Sequence, residues 1–287
     1  MPIASKKPKS VKIARGVTAG GTTPLFLIAG PCVIESEDDA LSLARRIKAV
    51  CAGLKLPFIF KASYDKANRT SMGSYRGPGL EKGLAVLRRV KEELAVPVLS
   101  DVHETCQVAR AAEVLDVIQI PAFLCRQTDL IIEAARTQKP INLKKGQFLS
   151  PLEMENAVEK VLKQGNDRIL LTERGTFFGY HNLVFDVRSI PLMKRWGFPV
   201  VIDASHAVQK PGGRGVASGG EAEFIPLLAR TGVAAGADGL FLEVHENPSK
   251  ALSDGANSLV LNKLEGVLRT ALRVKKALRE EEPRARS

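Results

Sequence analysis

Val200-Val-Ile-Asp-Ala-Ser-His206 is a short apolar run that stops at an acid and, three residues later, at an imidazole. The same figure recurs seven more times. Phe26–Ile28 precedes Cys32, Pro57–Phe60 precedes Lys61, and Pro97–Leu99 precedes Asp101 and His103. Val117–Ile118 leads to Gln119, Ile141–Leu143 to Lys144, Ile169–Leu171 to Glu173 and Arg174, and Leu240–Leu242 to Glu243 and His245. Between the runs lie segments of helical length, such as Ser36–Val50 and Leu80–Leu94. Apolar strands that alternate with helices describe a parallel sheet buried on both faces. Eight such units in 287 residues predict an α/β chain folded as a single (β/α)8 TIM barrel, whose reacting residues sit at the strands' C-terminal ends. The polar terminators then share one mouth.

Working outward, residues 1–24 form a basic N-terminal extension, in which Val11–Ala14 is expected as a short strand before the Gly20-Gly21 turn, over the closed end of the barrel. Residues 25–278 are assigned to the catalytic barrel and 279–287 to a charged C-terminal tail. Apolar spacing over Leu259–Leu278 predicts the last outer helix. The second, seventh and eighth strand-to-helix loops are long, polar and glycine-rich: Lys61–Gly79, Gln209–Gly220 and His245–Gly255. Long loops in compact domains tend to be lids or binding loops.

An apolar content of 45% with 25% charged residues is ordinary for a globular protein. The formal charge of +11 is concentrated at the ends. Residues 1–20 carry five Lys or Arg and no acid, and residues 268–287 carry seven Lys or Arg against three Glu. Solvated tails explain this better than a nucleic-acid face, which would interleave aromatics; only 5% of residues are aromatic. No apolar stretch approaches a membrane span and no signal-peptide core follows the basic start. A cytoplasmic location, with neither membrane nor nucleic acid as partner, is expected. The four cysteines show no CxxC pairing and are expected reduced. Cys51, Cys106 and Cys125 read as packing residues, whereas Cys32 directly follows a strand end.

Three constellations share the predicted mouth. Lys61, Lys66, Arg69, Arg126, Lys144 and Arg174 are cations that would repel one another unless an anionic ligand neutralised them, and their number suits two phosphates plus a carboxylate. Cys32, His206, Glu243 and Asp254 are donors of the kind that hold a divalent transition metal. Their spacing matches no compact metal motif: Asp254 also suits a turn cap, and His206 a metal-free catalytic role. Asn68, Asp101, His103, Gln119, Glu173 and Asp203 remain, to bind hydroxyls or orient the cations.

Several longer segments carry a resemblance. Ile28-Ala-Gly-Pro-Cys-Val-Ile-Glu-Ser36, Lys61–Ser71, Asp116–Asp129, Asn142-Leu-Lys-Lys-Gly-Gln-Phe148, Leu171-Thr-Glu-Arg-Gly-Thr176, Asp203-Ala-Ser-His206 and Ala251-Leu-Ser-Asp254 occur in one order. In these the chain resembles the 3-deoxy-D-manno-octulosonate 8-phosphate synthases, from about residue 25 to 268. That resemblance implies a transferase of lipopolysaccharide biosynthesis that condenses phosphoenolpyruvate with D-arabinose 5-phosphate. It implies Lys61, Gln119, Lys144, Arg174 and His206 around phosphoenolpyruvate, and Lys66, Asn68, Arg69 and Thr70 around the sugar phosphate. Asp101 and His103 match polar residues near the reacting centre. Arg126 resembles an arginine that reaches a neighbouring subunit's site, which implies a homo-oligomer, usually a tetramer. Cys32, where metal-independent members have Asn, resembles the metal-dependent branch with His206, Glu243 and Asp254 as ligands to Mn, Fe, Co or Zn. Lys66-Ala-Asn68-Arg69 differs from the shorter Lys-Pro-Arg of the related synthase that uses erythrose 4-phosphate. That enzyme, a Schiff-base aldolase using Lys61 or Lys144, and a non-catalytic anion-binding protein are the rival readings.

Overall fold

Alternation within each short strand sorts its side chains between two cores. In the computed structural model, which describes residues 9–69, 71–212 and 219–281, the strands are β1 (Phe26–Gly30), β2 (Phe58–Lys61), β3 (Val98–Asp101), β4 (Val117–Ile120), β5 (Ile141–Lys144), β6 (Ile169–Glu173), β7 (Val200–Asp203) and β8 (Gly239–His245). All pair in parallel with their chain neighbours, and β8 pairs with both β7 and β1, which closes the barrel. Leu27, Phe60, Val98, Ile118, Ile141, Leu171, Ile202 and Leu242 belong to the core beneath the helices. Phe26, Ile28, Ile59, Leu99, Val117, Leu170, Val201 and Phe241 form a second, interior cluster.

Around the outside run α1 (Glu37–Gly53), α2 (Leu80–Leu94), α3 (Thr105–Val114), α4 (Thr128–Arg136), α5 (Met154–Leu162), α6 (Ser189–Lys194), α7 (Ile225–Ala234) and α8 (Leu264–Glu281). Helix α1 begins where the sequence carries a start signal. Ser36 Oγ accepts from Asp39 N at 3.1 Å, and Glu37, Asp38 and Asp39 occupy the first turn, where the helix dipole favours acids.

At the closed end, Val11–Ala14 and Val17–Ala19 form an antiparallel hairpin. Its Val11, Ile13, Val17 and Ala19 are buried in the same cluster as the interior of the barrel. The last outer helix starts later than its apolar spacing suggests. Strand β8 is seven residues long, and its end pairs in parallel with Leu259–Val260, so these residues are strand rather than helix. Leu261–Lys263 makes a 3-10 turn before α8.

Candidate active site

Strand ends build the mouth. On the inward face, the apolar layer gives way one residue pair higher to Lys61, Asp101, Gln119, Asn142, Lys144, Thr172, Asp203 and Glu243, all buried. Asn142 Nδ2 donates to Gln119 Oε1 at 2.9 Å and Thr172 Oγ1 donates to Asn142 Oδ1 at 2.6 Å, a polar band across β4, β5 and β6. Above it opens a cavity of about 800 Å³, within the range of small-molecule sites. Lys61, Lys66, Asn68, Arg69, Asp101, His103, Gln119, Lys144, Arg174, His206 and Asp254 line it. Of three further residues expected here, two fall elsewhere. Thr70 lies outside the described residues. Arg126 is exposed on the loop after β4 and does not line this chain's own cavity. Glu173 turns away, its Oε1 accepting from Gly175 N at 2.6 Å and lying 3.6 Å from Lys145 Nζ.

The cations are partly met by the protein's own acids, so repulsion among them is smaller than the sequence count implies. Lys61 Nζ donates to Glu243 Oε1 at 2.8 Å and to the Cys32 carbonyl at 2.8 Å. Lys144 Nζ is paired with Asp203 Oδ2. Arg69 Nη1 stands 3.8 Å from Asp254 Oδ1, and its Nη2 donates to Ser253 Oγ. Burial acts to raise the Glu243 carboxyl, but Lys61, His206 and Lys66 outweigh it and hold Glu243 far below the usual range. Asp203 is likewise lowered, with His206 and Lys144 overcoming burial. Burial pushes Lys144 and Arg174 down from their ordinary values despite these acids. Arg174 Nη2 donates to Gln209 Oε1 at 2.9 Å, while its Nη1 is buried without a hydrogen-bond partner.

Asp101 and His103 make a buried pair, Nε2 to Oδ2 at 2.9 Å, and Ser63 Oγ donates to the other carboxylate oxygen at 2.5 Å. Burial alone would lower the His103 imidazole; the Asp101 hydrogen bond and charge raise it instead. Its Nδ1 is buried and unpartnered.

Cys32, Glu243 and Asp254 place three ligand atoms within 4.8 Å of one another, a group that could hold a metal ion. Closure of the barrel brings them together, since β8 lies against β1. Glycine at position 30 serves the other flank of β1: a Cβ there would overlap the Lys61 carbonyl of β2. Burial, then the Asp254 and Glu243 charges, push the Cys32 thiol up; a cation would reverse that bias by favouring the thiolate. Glu243 Oε2 is buried without a hydrogen-bond partner, free for such an ion. His206 stands beside the group rather than within it. Its Nδ1 is 2.7 Å from Asp203 Oδ2, and its Nε2 is 3.5 Å from Glu243 Oε1. A carboxylate on one imidazole nitrogen orients the other, as around many metal-binding histidines.

Sequence reasoning missed Ser253, Gln147 and Gln209. Ser253 Oγ lies 2.9 Å from Cys32 Sγ, so one hydroxyl links the thiol to Arg69. Gln147 lines the cavity with a buried, unpartnered Oε1. Each lies in a segment or long loop already conspicuous, but for Ser253 and Gln209 the neighbours on the chain give no hint of partners 35 to 221 residues away.

The profile of the DAHP synthetase I family matches residues 3–280. The chain is 60% identical over 255 residues to the 2-dehydro-3-deoxyphosphooctonate aldolase of Pelobacter propionicus, covering 89% of this chain and 94% of that one. It is 60% identical over 253 residues to the enzyme so named from Geobacter metallireducens, and 58% over 253 residues to that of Geobacter sulfurreducens, each covering 88% of this chain and 93% of the relative. With matches that run along nearly the whole barrel, the chain belongs to the DAHP synthetase I family and, within it, to the group of the 2-dehydro-3-deoxyphosphooctonate aldolases.

Proposed function

We propose that the chain is the transferase that condenses phosphoenolpyruvate with D-arabinose 5-phosphate and water, giving 3-deoxy-D-manno-octulosonate 8-phosphate and inorganic phosphate for lipopolysaccharide biosynthesis. The observation that carries this is the gathering of Lys61, Lys66, Arg69, Lys144 and Arg174 around one cavity. Its relatives' name supplies the identity of the product.

Lys61, Lys144 and Arg174, with Gln119 and His206, hold the phosphate and carboxylate of phosphoenolpyruvate. Lys66, Asn68 and Arg69, with Thr70, hold arabinose 5-phosphate. Fixing both substrates by their anionic groups presses the enol-phosphate C3 against the aldehyde and can remove about 7–11 kcal/mol of the barrier. As the carbon–carbon bond forms, the aldehyde oxygen takes the electron pair and must be protonated. Asp101 occupies His103 Nε2, so His103 exchanges protons through Nδ1. Water then adds at C2, loses a proton, and the hemiketal phosphate collapses to release phosphate.

Cys32, Glu243 and Asp254, joined by His206, are the residues that would hold a divalent transition metal. When bound, such an ion would supply Lewis-acid orientation of the aldehyde or water without redox chemistry. Self-association is part of the proposal. Arg126 is exposed, and the loops near it carry the exposed aromatics Phe123, Phe148 and Phe178, at 49%, 46% and 70% accessibility. Such an apolar rim suits a second copy, with Arg126 reaching that copy's cavity in a homotetramer. A cytoplasmic location is part of the proposal; no helix among the described residues is long and apolar enough to cross a membrane.

The test is phosphate release from phosphoenolpyruvate with arabinose 5-phosphate against erythrose 4-phosphate, each with and without chelator. Release with the five-carbon sugar that chelator abolishes and Mn or Zn restores is expected. Preference for erythrose 4-phosphate would overturn the substrate, and full activity after chelation the metal. Borohydride with both substrates should leave the mass of the chain unchanged; an adduct on Lys61 or Lys144 would establish an imine instead. Light scattering should give about four times the 31.0 kDa chain mass.

A further inference from the structure

Lys145 is fully buried, directly follows Lys144, and does not line the cavity. Four oxygens share the three N–H groups of its ammonium: the carbonyls of Gly146 at 3.2 Å, Leu149 at 3.3 Å and Gly175 at 3.2 Å, and Thr176 Oγ1 at 2.9 Å. Glu173 Oε1 lies 3.6 Å away and itself accepts from Gly175 N at 2.6 Å. The cation therefore grips the chain on both sides of Arg174, at Glu173 before it and at Gly175 and Thr176 after it. On the other side it is one peptide from Lys144, and its own backbone N–H donates to Thr172 O at 2.8 Å.

A buried ammonium is expensive, and replacing a buried ion pair with apolar groups of similar volume is often neutral or stabilising. Folding alone gives little reason for Lys145. A cation does here what an apolar side chain cannot: it draws carbonyls and a hydroxyl from two separate strand-to-helix loops onto one point. One of the loops so joined begins directly after Lys144 and the other carries Arg174, two cavity cations whose spacing must match a single anion. We infer that Lys145 is a positioning residue that sets the separation of Lys144 and Arg174, and hence the grip on phosphoenolpyruvate. The inference rests on the proposed role of those two cations.

Steady-state kinetics of the full-length, metal-supplemented enzyme test it, with thermal denaturation alongside. Lys145→Met should raise KM for phosphoenolpyruvate on the order of tenfold, because small misplacements of binding groups are costly, while kcat and KM for arabinose 5-phosphate stay within about twofold. The double variant Lys145→Met, Glu173→Gln removes both buried charges; it should regain thermal stability yet keep the raised KM. Thr176→Val takes away one acceptor and should raise that KM about two- to threefold with only a small drop in melting temperature, since the ammonium keeps its carbonyl acceptors, and it decides the matter if the other two fail to fold. The inference is overturned if KM for phosphoenolpyruvate is unchanged in whichever of these variants folds, if both substrates' KM values rise together, or if the double variant restores KM along with stability. Arg174→Met is the control: should it bind phosphoenolpyruvate as well as the wild type, the site assignment fails, and with it the premise rather than the clamp.

Discussion

Ile59 and Lys61 stand on the same side of β2, two residues apart, in opposite environments. Ile59 joins Phe26, Leu99, Val117 and the hairpin's Ile13 in an apolar floor. Lys61, equally buried, is bound to Glu243 and to two carbonyls. Strand geometry is common to both, so the contrast isolates what each layer contributes. The floor stabilises by removing hydrocarbon from water, roughly in proportion to area. The mouth holds charges whose desolvation the structure only partly offsets, and it holds them where a ligand can reach.

The largest difference should come from deleting a ring in the floor. Phe26→Ala is expected to cost about 3–5 kcal/mol in denaturant unfolding, with kcat/KM of the folded enzyme unchanged; a loss of activity at full stability would break the division. In the mouth, Lys144→Met with Asp203→Asn should cut kcat/KM on the order of 10²–10³-fold, yet leave stability unchanged or higher, since both members of the buried pair go together. A matching loss of stability would show that the pair holds the fold. Ile13→Val in the hairpin asks how far the floor extends: about 0.5–1.5 kcal/mol is expected, and no loss at all would place the hairpin outside the core.

The smallest effect is a pH dependence. Asp101 raises the folded His103 pKa above its ordinary value. That stabilisation is fully present below the unfolded pKa, about 6.5, and fades as pH rises through the raised folded value. His103→Gln should therefore lower the melting temperature more at about pH 5.5 than at about pH 9. An equal loss at both would mean that His103 is held by packing alone.

The floor was almost wholly legible, because strand burial leaves a local trace: Ile169–Leu171 and Val200–Ile202 are apolar runs whatever surrounds them. The mouth was legible as a list, since each charged residue interrupts such a run. Its pairings were not. Lys61 meets Glu243 across 182 positions of sequence, a contact made by closing the barrel and written in no local pattern. Arg126 illustrates the limit, since a loop residue's direction depends on neighbours that the eight-fold rhythm does not specify. Leu259 and Val260 mark another, where apolar spacing suits helix and strand alike and the length of β8 decides.

That length has a consequence for the eighth loop. Val244 and His245 pair with Leu259 and Val260, so residues 246–258 form a ring tied at its base by strand hydrogen bonds. Much of the entropy of bringing the ring's ends together is spent when the chain folds. If an ion binds as proposed, Asp254, near the middle of that ring, would be offered to it by a preorganised segment, and capture would cost less ordering than from a free-swinging loop of the same length.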